Sequence, residues 1–308
     1  MNTINTTNKP TLTIFTPAYN RAYSLHLCYE SLLKQSCKDF KWLIVDDGST
    51  DNTKDLVELW QKNDNGFEIQ YEYKENGGMH TAHNRAYQLI DTELNVCIDS
   101  DDYVADEAVK KIIEFWKEYG SNQYAGIVGL DATFNNKIIG NKFPNDLKST
   151  TLSGYYNKGG KGDKKLVYRT DVMKSYPEYP VFEGEKYVSL GYKYLLCDQD
   201  YELLVLNEVL CNVEYQTDGS SMNMYKQYLK NPKGFAFMRK VDMKYNTSFK
   251  RNLKTCIHYV SSSLISHNKN YITESPKKFM TIMVIPLGYL LTYYIKKKSN
   301  EYMVIAKK

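Results

Sequence analysis

The chain has 308 residues, 42% of them apolar, and 40 basic and 36 acidic residues leave a formal net charge of +4. This composition excludes a disordered chain and suffices for one large globular domain with an extension. The six cysteines form no CxxC pair, and the amino-terminal segment MNTINTTNKP has no apolar core after a basic start. The sequence therefore predicts no secretory signal and a reducing, cytoplasmic location.

Predicted strands and helices alternate along the first hundred residues. In chain order the pattern predicts a strand at 11–15, a helix at about 24–34, a strand at 41–47, a helix at 51–61, a strand at 67–73, a helix from the NGG turn to about Leu89, and a strand at 95–100. Such alternation is typical of an α/β fold with a parallel sheet and helices on both faces. Ligands of such sheets bind at the carboxyl ends of the strands.

The second half of the chain is less regular. Residues 121–165 mix short apolar runs with Gly, Asn and Lys and are interpreted as an acceptor-side loop region, whereas helices resume from Tyr225. The segment 279–295 is apolar and flanked by lysines, but Pro286 and Gly288 interrupt it near the lower limit of ~17 residues for a bilayer span. We expect it to lie in a membrane interface; the alternative is a core helix of a C-terminal subdomain.

An acidic group follows the predicted strand NVCI. It comprises Asp99, Ser100, Asp101 and Asp102. Carboxylates that converge at the end of a buried strand repel one another, and a hard divalent cation such as Mn²⁺ or Mg²⁺ removes that cost. The alternative is a solvated acidic turn or helix cap, because short DxD strings occur often by chance.

Three more motifs stand at predicted strand ends, namely TPAYNR, VDDGSTD and NGGMHTAHN, followed by DSDD. In this order, residues 1–110 resemble the nucleotide-binding half of the family 2 glycosyltransferases of bacterial cell-surface polysaccharide synthesis. The resemblance implies a GT-A (Rossmann-like), mostly parallel sheet flanked by helices, with a helical C-terminal extension. It also implies a transferase domain at 1–224, with its acceptor half at 111–224, and a helical, basic and apolar region at 225–308.

The resemblance implies roles for the motif residues. The nucleoside site would comprise Thr16, Pro17, Ala18 and Tyr19, with Tyr19 against the base. Asp47 would accept a hydrogen bond from the imide N–H of uracil, a proton that cytosine lacks. Further residues implied around the diphosphate and donor sugar are Asn76, Gly78, His80, Asn84, Ser100 and Asp102.

The same resemblance implies a metal site at Asp99 and Asp101. Asp218, in EYQTDGSSMN, stands where many relatives carry a histidine, and it is either a third ligand or part of an ordinary Asp-Gly turn. An inverting transfer also needs a base for the acceptor hydroxyl. In PVFEGEKYVSLGYKY we favour Glu185 for this role, with Glu183 as the alternative.

A second acid pair in the later half of the chain is interpreted differently. Asp198 and Asp200, in LLCDQDYE, are interpreted as structural, although they could hold acceptor hydroxyls.

The sequence thus predicts a metal-dependent, inverting hexosyltransferase that uses a UDP-sugar. Its acceptor would be a glycan or lipid-linked glycan in capsule, exopolysaccharide or teichoic acid synthesis, at the inner face of the cell membrane. We expect peripheral membrane association through residues 277–298 and no nucleic-acid partner. The sequence leaves open whether the chain forms a homo-oligomer. The alternatives are an inactive sugar-binding relative and a nucleotidyltransferase. A dehydrogenase is disfavoured because TPAYNR contains none of the glycines of a GxGxxG dinucleotide-binding motif. A zinc site is disfavoured because the five histidines do not have the spacing of zinc ligands.

Overall fold

The computed structural model describes residues 9–213 and 224–305. Within these residues one mixed sheet has nine strands: β1 (Leu12–Ala18), β2 (Phe40–Asp46), β3 (Glu68–Tyr73), β4 (Leu94–Cys97), β5 (Tyr103–Val104), β6 (Tyr124–Thr133), β7 (Ser149–Thr150), β8 (Lys164–Arg169) and β9 (Glu202–Val213). Eight of them follow the order β3-β2-β1-β4-β8-β6-β9-β5, and β7 pairs with β9.

Helices follow most of the strands and make up the C-terminal end of the described chain. In chain order they are α1 (Leu25–Leu33), α2 (Thr53–Trp60), α3 (Met79–Leu89), α4 (Ala108–Tyr119), α5 (Leu152–Asn157), α6 (Thr170–Ser175), α7 (Gly191–Asp200), α8 (Met224–Lys230), α9 (Pro232–Tyr245), α10 (Phe249–Ile265), α11 (Tyr271–Glu274), α12 (Lys278–Met283) and α13 (Ile285–Ile305).

The first four strands of the sheet order are parallel, as the strand and helix alternation predicts. Every residue of β1 and of β2 is buried, because helices cover both faces of a parallel sheet. In the register, Ala18 lies opposite Asp46, Asp46 opposite Tyr73, and Phe15 opposite Cys97. The carboxyl ends of β1 to β4 therefore meet at one edge of the sheet.

The remaining strands make the sheet mixed. β8 is antiparallel to both β4 and β6, while β6 is parallel to β9. The interpretation of residues 121–165 as a loop region is wrong over β6, where eight consecutive residues of the strand are buried. Gly126, Gly129 and Asp131 interrupt the apolar residues of β6, so the sequence showed only a short apolar run there and not the full length of the strand.

Aromatic stacking fixes the helices that back the parallel strands. The ring of Tyr29 on α1 stacks on Trp60 of α2, with centroids 4.3 Å apart, and on Trp42 of β2 at 6.2 Å. The Tyr29 hydroxyl donates a hydrogen bond to Asn65 Oδ1 at 2.7 Å, so its polar end is satisfied inside the core. This packing holds α1 and α2 against the strands whose ends carry the motifs.

The described residues group into two compact units. One comprises 9–77, 82–177 and 196–213 and contains the sheet, and the other comprises 78–81, 178–195 and 224–305. The second unit has its own apolar core, which includes Met243, Cys256, Tyr259, Val260 and Val284. The predicted boundary at residue 224 stays a prediction, although the contacts group 178–195 with the C-terminal helices.

No helix within the described residues combines the length and the apolarity that a membrane crossing requires.

Candidate active site

Hydrogen bonds join the turns that follow β1 and β2. The Asn20 N–H donates to Ser49 Oγ at 2.8 Å, and the Thr50 N–H donates to Asn20 Oδ1 at 2.8 Å. The Ala22 N–H donates to Asp51 Oδ2 at 3.0 Å. Asn20 has a positive φ of 53°, which asparagine tolerates better than most residues. These hydrogen bonds therefore hold the TPAYNR and DDGSTD turns together at the carboxyl edge of the sheet.

The four predicted nucleoside residues differ in what they expose. Thr16 is buried, and its Oγ1 accepts a hydrogen bond from Trp42 Nε1 at 3.0 Å, so its side chain belongs to the core. Pro17 and Ala18 are also buried. Tyr19 is 49% exposed. Of the four, Tyr19 is the side chain that offers an aromatic surface to a ligand.

Asp47 ties the turn after β2 to the turn after β3. Its Oδ1 accepts hydrogen bonds from the Gly77 N–H at 2.9 Å and from the Lys74 ammonium. The Asn76 amide donates to the Asp47 carbonyl at 2.7 Å and lies 3.3 Å from Oδ2. Asp47 and Asn76 therefore shape this edge of the sheet as well as standing at the predicted base and diphosphate positions.

Gly78, at the start of α3, is confined by the chain's own backbone. Its φ is +94°, and a Cβ placed on it would lie 2.0 Å from the Lys186 carbonyl oxygen. A side chain there would clash with the main chain of a segment that is distant in sequence. Packing thus requires glycine at this position, which the family resemblance places near the diphosphate and donor sugar.

The polar residues of α3 are largely buried. His80 and Asn84 are both buried, and so is His83. The His83 ring meets Phe15 edge-on with centroids 5.0 Å apart, and its Nε2 lies 3.6 Å from Cys97 Sγ. The structure therefore assigns His83 to the packing against β1 and β4.

The acidic turn after β4 divides into two kinds of position. Asp99 and Asp101 are partly exposed, whereas Ser100 and Asp102 are buried. The Asp102 N–H donates to the Asp99 carbonyl at 3.0 Å, and the Asp102 carboxylate accepts a weak hydrogen bond from the Cys211 thiol at 3.8 Å. Asp102 is therefore directed inward, toward β9.

A buried cation, which the sequence analysis missed, stands near this acidic turn. Lys165, on β8, is only 12% exposed, and its Nζ lies 3.9 Å from Asp131 Oδ1 and 3.5 Å from the Cys97 carbonyl. Burial lowers the pKa of Lys165, but the nearby carboxylates of Asp131, Asp102 and Asp99 outweigh burial and raise it well above its usual value. The signal in the sequence is the run KKLVYR, a lysine entering an apolar strand.

The acidic turn suits a hard divalent cation in its donor chemistry. Asp99 and Asp101 offer carboxylate oxygens, and Mg²⁺ or Mn²⁺ held against a diphosphate takes one or two protein carboxylates and completes its shell with phosphate oxygens and water. Among residues 9–213 and 224–305, no group of three or more His, Cys, Asp or Glu is arranged to hold a metal. The third predicted ligand, Asp218, lies outside the described residues.

The two candidate bases have different surroundings. Glu185 is buried, and its two carboxylate oxygens accept hydrogen bonds from the Lys233 and Gly234 N–H groups at 2.9 and 2.8 Å. These donors belong to the first turn of α9, so Glu185 accepts hydrogen bonds from N–H groups that have no partner within the helix. Glu183 is exposed, two residues away in the same turn.

The acid pair on α7 accepts hydrogen bonds from neighbouring segments, and its interpretation as structural stays a prediction. Asp198 accepts hydrogen bonds from the Leu152 and Ser153 N–H groups at 2.9 and 2.7 Å, at the start of α5. The Tyr176 hydroxyl donates to Asp200 Oδ2 at 2.7 Å. Both carboxylates are thus engaged in holding neighbouring segments of the sheet-containing unit.

Similarity to known proteins extends over most of the sheet-containing unit. The model of the family described as glycosyl transferase family 2 matches residues 13–176, more than half of the chain. The teichuronic acid biosynthesis glycosyltransferase TuaG of Bacillus subtilis (strain 168) is 33% identical over 110 residues, 36% of this chain and 43% of TuaG. Chondroitin synthase of Pasteurella multocida (strain Pm70) is 36% identical over 110 residues, 35% of this chain and 11% of the synthase. The chain therefore matches less than half the length of each.

Solved structures share the fold over nearly the whole chain. S. aureus TarS 1-349 in complex with UDP-GlcNAc has a TM-score of 0.59 at 17% identity, covering 94% of this chain and 88% of the TarS chain. The mannosyltransferase PcManGT of Pyrobaculum calidifontis, in complex with GDP-Man and Mn²⁺, has a TM-score of 0.54 at 13% identity, with the same coverage of 94% and 88%. With the family match and the motifs at the strand ends, these likenesses show that the chain is a glycosyltransferase of family 2 with the GT-A fold.

Proposed function

We propose that the chain catalyses a metal-dependent, inverting transfer of a sugar from a UDP-sugar to a glycan or lipid-linked acceptor. The observation that carries the proposal is the meeting of three motifs at one edge of the sheet. Tyr19 follows β1, Asp47 follows β2 and the Asp99–Asp102 turn follows β4, and the parallel register brings these strand ends together. A nucleotide, its diphosphate and a cation are the ligands that this set of side chains can bind.

Support for uridine comes from the chemistry of Asp47. A carboxylate accepts a hydrogen bond from the imide N–H of uracil, whereas cytosine has no such proton. The partly exposed Tyr19 ring supplies a stacking surface for the base. TarS is described with UDP-GlcNAc and PcManGT with GDP-Man, so GDP-sugars are the competing donor class.

The diphosphate end of the donor is assigned to the residues of the NGG turn and the acidic turn. In this proposal Asn76, Gly78, His80 and Asn84 surround the diphosphate and donor sugar, with Ser100 and Asp102 behind them. Asp99 and Asp101, and in the proposal Asp218, would hold Mn²⁺ or Mg²⁺, which would neutralise the negative charge of the leaving diphosphate. Lys165 and Asp131 form a largely buried ion pair near the acidic turn.

We propose Glu183 or Glu185 as the base that takes the acceptor proton in a single displacement. The contacts favour Glu183, because both oxygens of Glu185 accept backbone hydrogen bonds from α9, whereas Glu183 is exposed. Glu185 would then act as a positioning residue for the turn. This reverses the preference that the sequence resemblance implied.

We propose that the acceptor belongs to capsule, exopolysaccharide or teichoic acid synthesis and is modified at the inner face of the cell membrane. TuaG is named for teichuronic acid biosynthesis and chondroitin synthase for the synthesis of chondroitin, and these names support a glycan acceptor. Peripheral association through 277–298 and self-association remain predictions of the same proposal. Exposed apolar side chains and lysines in 277–298 support the first of them.

A donor panel tests the proposal. Calorimetric titration of UDP-sugars, GDP-sugars and CDP-sugars, with and without Mn²⁺, should find metal-dependent binding of a UDP-sugar, and slow UDP release should follow in its presence. Preferential binding of a GDP-sugar would reject the assignment of uridine as the donor nucleoside, because guanine N1–H can also donate to a carboxylate. Failure of every nucleotide sugar to bind would favour an inactive sugar-binding relative. Release of inorganic pyrophosphate from a sugar phosphate and a nucleoside triphosphate would favour a nucleotidyltransferase.

A further inference from the structure

Exposed apolar side chains are concentrated on the last two helices of the chain. Of the nineteen large apolar side chains that are exposed among the described residues, eight fall within 279–294. Among them Phe279 is 77% exposed, Tyr293 70% and Leu290 65%. Scattered exposed apolar residues are normal on a protein surface, but a contiguous patch of this kind marks an interaction site.

The side of α13 that packs against the protein contains one large apolar residue, Ile295, among small or polar ones. The buried positions Gly288, Thr292, Ile295 and Ser299 repeat at helical spacing. A Cβ on Gly288 would lie 2.3 Å from Val260 Cγ1, and the Thr292 hydroxyl lies 2.9 Å from the Ser261 hydroxyl on α10. A helix that packs mostly through small or polar residues and turns Leu and Tyr outward has the reverse of the usual arrangement in water.

Basic residues frame this apolar face. Lys277 and Lys278 precede it and Lys296, Lys297 and Lys298 follow it, and the sequence from Ser275 to Asn300 contains no aspartate or glutamate. The exposed Lys278, Lys296 and Lys297 can direct their charges to phosphates while their alkyl stems cover apolar surface. A second copy of the chain is a poor partner, because symmetric pairing of this face would bring lysines of like charge together.

We propose that the face formed by α12 and the first half of α13, residues 278–297, lies in the interface of a membrane that contains anionic lipids. Phe279, Leu287, Leu290 and Tyr293 enter the boundary between headgroups and acyl chains, and the flanking lysines contact lipid phosphates. In this proposal the two helices lie along the membrane surface, with their exposed apolar side chains toward the lipid. This inference extends the proposed function by naming the binding surface and its lipid, and its test needs no nucleotide sugar.

Co-sedimentation of the full chain with vesicles tests the proposal. Binding to vesicles of phosphatidylglycerol and phosphatidylcholine should be at least roughly tenfold tighter than binding to phosphatidylcholine alone, and should weaken at high salt. Leu290→Glu, on the face, should weaken binding roughly tenfold. Leu59→Glu is the matched control, since Leu59 is 57% exposed on α2 and the substitution is the same.

The double variant Lys296→Gln/Lys297→Gln separates the ionic contribution from the apolar one. It should reduce the preference for phosphatidylglycerol while leaving residual binding. Equal vesicle binding by the Leu290→Glu and Leu59→Glu proteins, at matched thermal stability, would overturn the proposal. So would a dimer, seen by sedimentation without lipid, that Leu290→Glu dissociates while vesicles bind neither protein. Because binding is measured without donor, a failed transferase assay leaves this test valid.

Discussion

The carboxylate of Glu185 accepts a hydrogen bond from the Gly234 N–H at 2.8 Å, and its other oxygen accepts one from the neighbouring Lys233 N–H at 2.9 Å. The acceptor and donors are 48 and 49 residues apart in the chain. Glu185 therefore neutralises the amino end of α9, which begins at Pro232. A carboxylate that accepts two backbone hydrogen bonds is less available to take a proton from a substrate than the exposed carboxylate of Glu183.

Glutamine substitutions at the two positions should have different consequences. Glu183→Gln should lower the rate of sugar transfer by about 10² to 10⁴, because the acceptor proton loses its base, while UDP binding and thermal stability stay near those of the parent protein. Glu185→Gln should lower the thermal midpoint, since a neutral amide interacts more weakly with the α9 N–H groups. Transfer assays, UDP titration and thermal denaturation measure these effects.

Glu185→Ala gives the stronger form of the stability prediction. Loss of both hydrogen bonds should cost about 1–3 kcal/mol of unfolding free energy. A folded Glu185→Gln protein that binds UDP and is inactive, next to an active Glu183→Gln protein, would reassign the base to Glu185.

Gly78 and Gly184 form a matched pair for testing the packing of the NGG turn. Both have positive φ, +94° and +78°, but a Cβ on Gly78 would meet the Lys186 carbonyl at 2.0 Å, whereas nothing lies within 4 Å of one on Gly184. Gly184→Ala should cost about 1–2 kcal/mol from the backbone conformation alone, and Gly78→Ala should cost distinctly more. Urea denaturation of the two variants measures the difference. Equal losses of unfolding free energy in the two variants would contradict the prediction, because they would show that the Lys186 backbone moves at little cost to accommodate the added methyl group.

Asp101 is the position for testing the metal assignment. Asp101→Ala should abolish the dependence of UDP-sugar binding on Mn²⁺ and reduce turnover by at least about a hundredfold, because one carboxylate ligand is lost. Asp106→Ala is a suitable control, since Asp106 is an exposed acid a few residues downstream. Calorimetry with and without metal gives the readout. Unchanged metal dependence in the Asp101→Ala protein would reject the assignment.

His258 should make the stability of the C-terminal helices depend on pH. Burial first, and then Arg239 and Lys254, lower the pKa of His258 from 6.5 to about 4. The unfolded chain, with the ordinary pKa, binds the proton more readily between these values. The stability associated with neutral His258 is therefore present above about pH 6.5 and is lost as the pH falls toward 4.

Replacing His258 by glutamine should flatten this dependence. The loss of unfolding free energy between pH 7 and pH 5, measured by urea denaturation, should be smaller for His258→Gln than for the parent protein. His267→Asn is the control, because His267 is exposed and its positive φ of 57° suits asparagine. An identical pH dependence in the parent and His258→Gln proteins would contradict the prediction.

Much of the nucleotide-binding half could be predicted from the sequence. Apolar runs such as LTIF and WLIV mark β1 and β2, and TPAYNR, DDGS and DSDD follow strands directly. Local spacing was sufficient because parallel strands bring their carboxyl ends to the same edge. The full length of β6 escaped this method, since Gly126, Gly129 and Asp131 break its apolar residues into short pieces.

The family, the parallel half of the sheet and the residue types at its carboxyl edge could be recognised without coordinates, because they depend on short motifs and local periodicity. The tertiary structure shows how those residues are engaged. It directed Thr16 and His83 into the core, set Lys165 beside Asp131, committed Glu185 to α9 and turned the apolar side of α13 outward. Each of these outcomes depends on a partner that is distant in the chain or on the direction a helix faces, and neither is encoded in local spacing.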